Sequence, residues 1–386
     1  MRILAGFVRK AFPSKGSPVD LESIAMTNTL FDPIQLGDLT LKNRIAMAPM
    51  TRGRADAAGL ASDLHATYYS QRASAGLIIS EGINISADGL GSPLTPGLFN
   101  AAQIAAWRTV TDAVHVAGGL IFAQLWHSGR VGHSSVRGGA LPVAPSAIAI
   151  TGQQHFTPTG PQDYEVPRAL RLDEIEATIG DYRSAAQAAR DAGFDGVELH
   201  AAFGYLPNPF LVDGANHRTD AYGGSIENRC RFTLEVMHAL VEIWGADRAG
   251  IKLSPSIPFN NMIDSDPTAL FSHLISKLDA MPLAYLHLMQ PLFPLDDFPA
   301  WPADPLATFA PLYQGMVITN GGYGQASAAD AISSGKAQMV SFGSKYISNP
   351  DLVERFRAHA ALAEPDRATM YGGGAEGLID YPTLAG

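Results

Sequence analysis

Glu198 and His200 lie two residues apart in the strand-like run Gly196–His200, and Tyr205 follows five residues later. In an extended segment Glu198 and His200 share a face, with His200 one level higher. A histidine there can donate a hydrogen bond to a substrate oxygen at neutral pH. A tyrosine held over the same pocket can supply a proton. A lone histidine and tyrosine more often pack with their polar tips satisfied. Here Thr51, Gln124 and Trp126 close other strand-like runs, and that company points to a shared site.

A second group of residues suits a phosphate. Gly321 and Gly322 follow Asn320, and Gly343 stands between Phe342 and Ser344. Glycine permits positive φ and lets backbone N–H groups approach an anion closely. Gly322-Tyr323-Gly324, with Ser327 at the third position, offers a rival dinucleotide-binding fingerprint. No acidic residue closes the next strand near Ser341-Phe342, so that reading loses. The strand ends carry no pair of carboxylates, which counts against glycoside hydrolysis and two-metal hydrolysis. A G-x-S-x-G elbow is also missing, so the hydrolase arrangement built on it is not expected.

These residues need a frame. Short apolar runs recur at Arg44–Ala48, Leu77–Ser80, Leu120–Gln124, Gly196–His200, Gly250–Leu253, Ala284–Leu288, Met316–Thr319 and Gln338–Phe342. Between most of them lie segments of helical period, including Leu172–Ala192, Ile226–Trp244 and Thr268–Ala280. Strands alternating with helices imply parallel strands joined by crossovers, and eight strands close a barrel. The spacing therefore predicts one α/β domain, a (β/α)8 TIM barrel, with its chemistry at the carboxyl ends of the strands. Phe31–Asn43, with Gly37-Asp38 between alternating apolar positions, reads as a hairpin plugging the amino-terminal end. Val131–Ala169, after the third strand, is too long for an ordinary connection and reads as an excursion or lid.

Composition narrows the class. Hydrophobic residues make up 46% of the 386 residues and charged ones 17%, enough apolar mass for a large core and too much for a disordered chain. With 27 Lys+Arg against 37 Asp+Glu the net charge is −10, which argues against a nucleic-acid binder. The single cysteine, Cys230, excludes internal disulfides and CxxC metal sites. Residues 1–27 read as an amino-terminal extension and 28–386 as the barrel. No apolar run approaches the ~20 residues needed to cross a bilayer. We expect a soluble, cytoplasmic protein, monomeric or homodimeric, with no membrane or nucleic-acid partner.

From about Leu30 to Leu384 the chain resembles the Old Yellow Enzyme family of flavin-dependent ene-reductases. The resemblance rests on an ordered set of motifs. Leu41-Lys42-Asn43-Arg44 leads to Ala48-Pro49-Met50-Thr51-Arg52, followed by Ser80-Glu81-Gly82. Next come Gln124-Leu125-Trp126-His127-Ser128-Gly129-Arg130 and Gly193-Phe194-Asp195-Gly196-Val197-Glu198-Leu199-His200. Arg218-Thr219-Asp220, Tyr222-Gly223-Gly224-Ser225, Asn349-Pro350-Asp351-Leu352 and Asp380-Tyr381-Pro382 complete the set.

The resemblance implies FMN across the barrel mouth, with NAD(P)H as reductant entering the same pocket. By position, Thr51 would bond a ring carbonyl, Gln124 the pyrimidine edge, and Pro49, Met50 and Gly82 would line the ring. Gly321, Gly322, Ser341 and Gly343 would carry the phosphate. His200 would polarise the carbonyl of an activated alkene, an α,β-unsaturated carbonyl compound or nitroalkene. Tyr205 would protonate its α-carbon, and Trp126 and Tyr371 would shape the pocket.

Three positions depart from the family pattern. Phe203 stands where a second donor, Asn or His, is usual, implying weak activity on simple enones and a shifted substrate. Lys252 replaces an arginine at the flavin, keeping the charge without the planar two-pronged contact. Ser344 replaces a phosphate-binding arginine. Strand alternation would point the adjacent Lys345 away unless the loop bends, so looser FMN binding is expected. Pro207-Asn208-Pro209 also differs and is expected to displace the loop after Tyr205. Two alternatives follow: non-reductive, isomerase-type flavin chemistry, suggested by Phe203 beside Tyr205, and a ligand-binding barrel without turnover, suggested by Ser344 and Lys252.

Overall fold

A computed structural model describes residues 29–384; the expected extension over residues 1–27 lies outside the described residues. The chain enters through an antiparallel hairpin, β1 (Ile34–Leu36) and β2 (Leu39–Leu41), turned at Gly37 with φ +57°. β3 (Ile45–Met47), α1 (Asp63–Ser70), β4 (Leu77–Asn84), α2 (Ala101–Val116) and β5 (Ile121–Trp126) follow.

The excursion after β5 contains β6 (Val143–Ala144) and β9 (Arg168–Ala169), which pair in parallel, and the hairpin β7 (Gln154–Thr157) and β8 (Gly160–Asp163). α3 (Leu172–Asp191), β10 (Gly196–Ala201), α4 (Pro207–Leu211), α5 (Ile226–Trp244), β11 (Ala249–Leu253), α6 (Pro267–Leu278) and β12 (Leu286–Met289) come next. α7 (Pro305–Phe309), β13 (Val317–Asn320), α8 (Gln325–Ser333), β14 (Met339–Phe342), α9 (Ser344–Ser348) and α10 (Leu352–Arg357) complete the order.

β3, β4, β5, β10, β11, β12, β13 and β14 form a closed parallel barrel, each strand beside its neighbour in the chain and β14 beside β3. All eight coincide with the predicted runs. The long helices follow their apolar period: α5 buries Phe232, Val236, Met237 and Leu240 on one stripe, and the Ser225 side chain caps it by accepting from Asn228 N–H.

The barrel interior is layered, because alternate residues of every strand point inward. At the amino-terminal end an apolar layer holds Phe122, Tyr285, Ile318 and Met339, with Leu36 and Leu41 of the hairpin packed against it. Gly196 and Gly250 make room for that layer: a Cβ on either would lie within 2.5 Å of the Phe122 or Tyr285 ring. The hairpin therefore plugs the barrel as expected. Polar residues occupy the layer above, and the mouth lies over them. Among the described residues no helix is long and apolar enough to cross a membrane, and no cluster of three metal-binding side chains occurs.

Candidate active site

The polar layer is built around Glu198 on β10. Its carboxylate accepts from Gln124 Nε2 and from His287 Nδ1, each at 2.8 Å, and His287 Nε2 lies 2.8 Å from Ser341 Oγ. All four side chains are buried. Burial alone would raise the Glu198 carboxyl, but His287, Lys252 and Gln124 outweigh it and hold it below its ordinary value. Burial and Lys252 lower His287 against the pull of Glu198. The pairing is therefore an ionised glutamate accepting from a neutral imidazole, which in turn accepts from Ser341.

Above this layer opens a cavity of about 1150 Å³. Its wall contains Pro49, Met50 and Thr51 after β3, Trp126 ending β5, and His200, Phe203 and Tyr205 at and after β10. Lys252, Gly321, Gly322, Ser341, Gly343, Ser344 and Tyr371 also line it. Sequence reasoning had named every one of these residues. Two other candidates stand behind the wall. Gln124 turns its amide to Glu198. Gly82, set level with Gln124 by a bulge in β4, is covered by Trp126, whose ring a Cβ at position 82 would meet at 2.2 Å. Gly82 is thus explained by room for Trp126 rather than by exposure at the cavity, a correction to its expected place.

His200, Phe203, Tyr205 and Trp126 form a chain of edge-on rings. The centroids are 4.6 Å apart for His200 and Tyr205, 4.8 Å for Trp126 and Tyr205, and 6.3 Å for His200 and Phe203. Burial, then Lys252 and His287, hold His200 well below its ordinary pKa, so it is neutral at pH 7. Its Nδ1 is buried without a hydrogen-bond partner among the described residues. Burial, then Tyr164 and Tyr371, raise the Tyr205 hydroxyl above its usual range. The buried Lys252 ammonium is pushed down to about 8 by burial, against Glu198.

The expectation that Lys345 points away is corrected. The extended strand ends at Phe342 and α9 begins at Ser344, so successive side chains diverge by ~100° instead of alternating. Ser344 and Lys345 both border the cavity. Pro207-Asn208-Pro209 starts α4, and Asn208 Oδ1 accepts from Gly204 N–H at 2.9 Å, tying the loop after His200 to that helix.

Sequence reading missed several wall residues. The excursion, expected as a lid, supplies His155, Phe156 and Tyr164; no periodicity marks side chains in so irregular a segment. Arg52 and Arg54 are buried and donate to the carbonyls of Thr369, Met370, Glu376 and Gly377. They tie the segment carrying Tyr371 to the loop after β3. Arg367 also lines the cavity, and among the described residues no aspartate or glutamate does.

The residues fit FMN. Gly321 and Gly322 have φ of +112° and +73°, and open space lies where a Cβ on Gly322 would project. A buried lysine and an unpartnered histidine nitrogen face the same site, ready for a ligand with anionic and acceptor groups.

The sequence model of the NADH:flavin oxidoreductase / NADH oxidase family matches residues 29–363. The chain belongs to that family. Among its relatives, 12-oxophytodienoate reductase 7 of Oryza sativa subsp. japonica is 42% identical, with 92% of this chain and 94% of the relative covered. A probable flavin mononucleotide-dependent alkene reductase of Leishmania infantum is also 42% identical, covering 92% and 98% respectively. The solved structure of an old yellow enzyme homologue from Zymomonas mobilis superposes with a TM-score of 0.88 at 43% identity, covering 92% of this chain and all of that one. Morphinone reductase does so at 0.88 and 45%, covering 93% and 97%. The NADH:flavin oxidoreductase barrel expected from the motifs is therefore the fold found.

Proposed function

We propose that this protein is an FMN-dependent ene-reductase that uses NAD(P)H to saturate the C=C bond of an activated alkene. The observation that carries the reading is the pairing of neutral His200 with Tyr205 on one cavity wall that also holds a glycine cradle and Lys252.

In this reading Gly321, Gly322, Gly343, Ser341 and Ser344 hold the FMN phosphate, with Lys345 beside them. Pro49, Met50 and Thr51 receive the ring, and Lys252 serves its polar edge, while Gln124, behind the wall, holds Glu198. When bound, FMN takes hydride from NAD(P)H and supplies it to the alkene β-carbon. His200, kept neutral, donates a hydrogen bond to the substrate carbonyl and stabilises the negative charge that develops on its oxygen. Tyr205 holds its proton firmly until that charge develops, then gives it to the α-carbon and regains one from water. The hairpin β7–β8 with Phe156, and Tyr164 after it, borders the cavity.

Lys345 on the wall weakens the ground for a barrel that has lost its flavin. The buried, unpaired Cys230 accords with a cytoplasmic setting, and a monomer or homodimer remains the expected state. The test is purified protein reconstituted with FMN. It should be yellow, bleach anaerobically with NADH or NADPH, and regain colour with 2-cyclohexenone as cyclohexanone accumulates. Reduction by NAD(P)H without any saturated product would overturn the reading.

A further inference from the structure

Phe203 sits in a conformation that its side chain does not favour. Its φ is +58°, and Gly204 after it has φ +89°. Tyr205 N–H donates to Ala202 C=O at 3.2 Å, closing a turn whose two central residues both have positive φ. That is the signature of a primed turn, for which Asn-Gly is the favoured pair. A bulky residue at such a position is an outlier. The surroundings enforce it: Phe203 N–H donates to Ser254 Oγ at 3.1 Å, and Asn260 Nδ2 donates to Phe203 C=O at 2.7 Å. Strain held from both sides at a cavity wall is the kind that a functional constraint retains.

Phe203 lines the cavity with its ring edge-on to that of His200 at an interplanar angle of 85°. The same cavity is also lined by Leu94, Phe156, Phe259, Leu292 and Tyr371, large apolar or aromatic side chains each more than 40% exposed. Apolar groups of this size left in water around one cavity mark a surface that an apolar ligand covers. Beside Phe203, a polar substituent would lose water without gaining a donor, whereas an alkyl or ring substituent would be buried.

Resting on the ene-reduction reading, we propose that Phe203 is a specificity-determining residue. It biases the enzyme toward activated alkenes that present one carbonyl acceptor to His200 and carry a large apolar substituent, and the strained turn is retained for that selection.

The experiment compares holo wild type, Phe203→Asn and Phe203→Leu on 2-cyclopentenone and 2-pentyl-2-cyclopentenone, together with their thermal midpoints. Wild type should prefer the pentyl ketone by about tenfold or more in kcat/KM. Phe203→Asn should lower that ratio at least tenfold, chiefly by gain on the small ketone, and should raise the midpoint by about 1–3 °C as the turn relaxes. Phe203→Leu, apolar and equally strained, should keep the preference and gain no stability. An unchanged ratio in Phe203→Asn, or a wild type indifferent to the pentyl chain, would overturn the proposal and leave ene reduction standing. A lower midpoint or failure to fold in Phe203→Asn would overturn the strain argument, with Phe203→Leu still reading the selectivity. Wild type that holds FMN but reduces neither ketone would bring down the ene-reduction reading itself.

Discussion

At the scale of single residues, the proposed mechanism keeps two side chains in protonation states that suit opposite tasks. Burial strips His200 of its charge, and the cation of Lys252 pushes the same way. The imidazole can therefore donate a hydrogen bond without becoming a charge to be desolvated. Burial also makes Tyr205 a poorer acid than free tyrosine, so it releases its proton only to a strong base such as a developing enolate. Tyr205→Phe should then slow enone reduction by about 10²- to 10⁴-fold, while anaerobic bleaching of the flavin by NAD(P)H keeps its rate. Rapid-mixing measurements of the two half-reactions separate these effects. Equal loss in both would mean that Tyr205 shapes the site and does not supply the proton.

At the scale of elements, the junction of β14 and α9 decides which charges border the proposed phosphate site. A strand continued through Ser344 would turn Lys345 outward, but a helix begins there and brings both residues to the cavity. Lys345 forms no ion pair among the described residues. We expect it to supply the counter-charge that Ser344 lacks. Lys345→Ala should weaken FMN binding to flavin-free protein by about 10- to 100-fold, the worth of a charge-assisted hydrogen bond of roughly 1.5–3 kcal/mol. Riboflavin, which has no phosphate, should bind the variant and wild type alike. Fluorescence titration measures both, and an FMN-to-riboflavin preference that survives the substitution would remove Lys345 from the phosphate site.

At the scale of the molecule, a protein of net charge −10 lines its main cavity with Lys252, Lys345 and Arg367 and with no carboxylate. The local field there is opposite in sign to the whole, which suits anionic flavin and dinucleotide. Burial has a second global consequence. His65, His127, His155, His200 and His287 are all held below their ordinary pKa, with burial the leading cause in each. Near and below pH 6.5 the unfolded chain binds protons on these side chains that the folded chain refuses. Stability is therefore present above that pH and falls as pH drops, by up to about 1.4 kcal/mol per pH unit for each histidine. The thermal midpoint should decline between pH 7.5 and 5.5, with proton uptake on unfolding measurable by calorimetry in different buffers. A flat midpoint over that interval would contradict the burial argument.

The sequence by itself determined the eight strands, the plugging hairpin, the parity that sets Glu198 beneath His200, and the strand-end residues of the cavity wall. Each of these follows from local period: alternate residues of a strand share a face, and the strand end that carries His200 also carries its neighbours to the mouth. Only the tertiary structure decided the rest, because it depends on contacts between distant segments. Gln124 faces Glu198 and Gly82 yields to Trp126 because neighbouring strands stack in register. The lid brings Phe156 and Tyr164 to the cavity although nothing periodic marks them. Phe203 takes a left-handed turn because Ser254, 51 residues on, and Asn260, 57 residues on, hold its backbone there. Lys345 reaches the cavity because a strand stops two residues before a helix starts. Local period says which way a side chain points while an element lasts, and packing decides where the element ends.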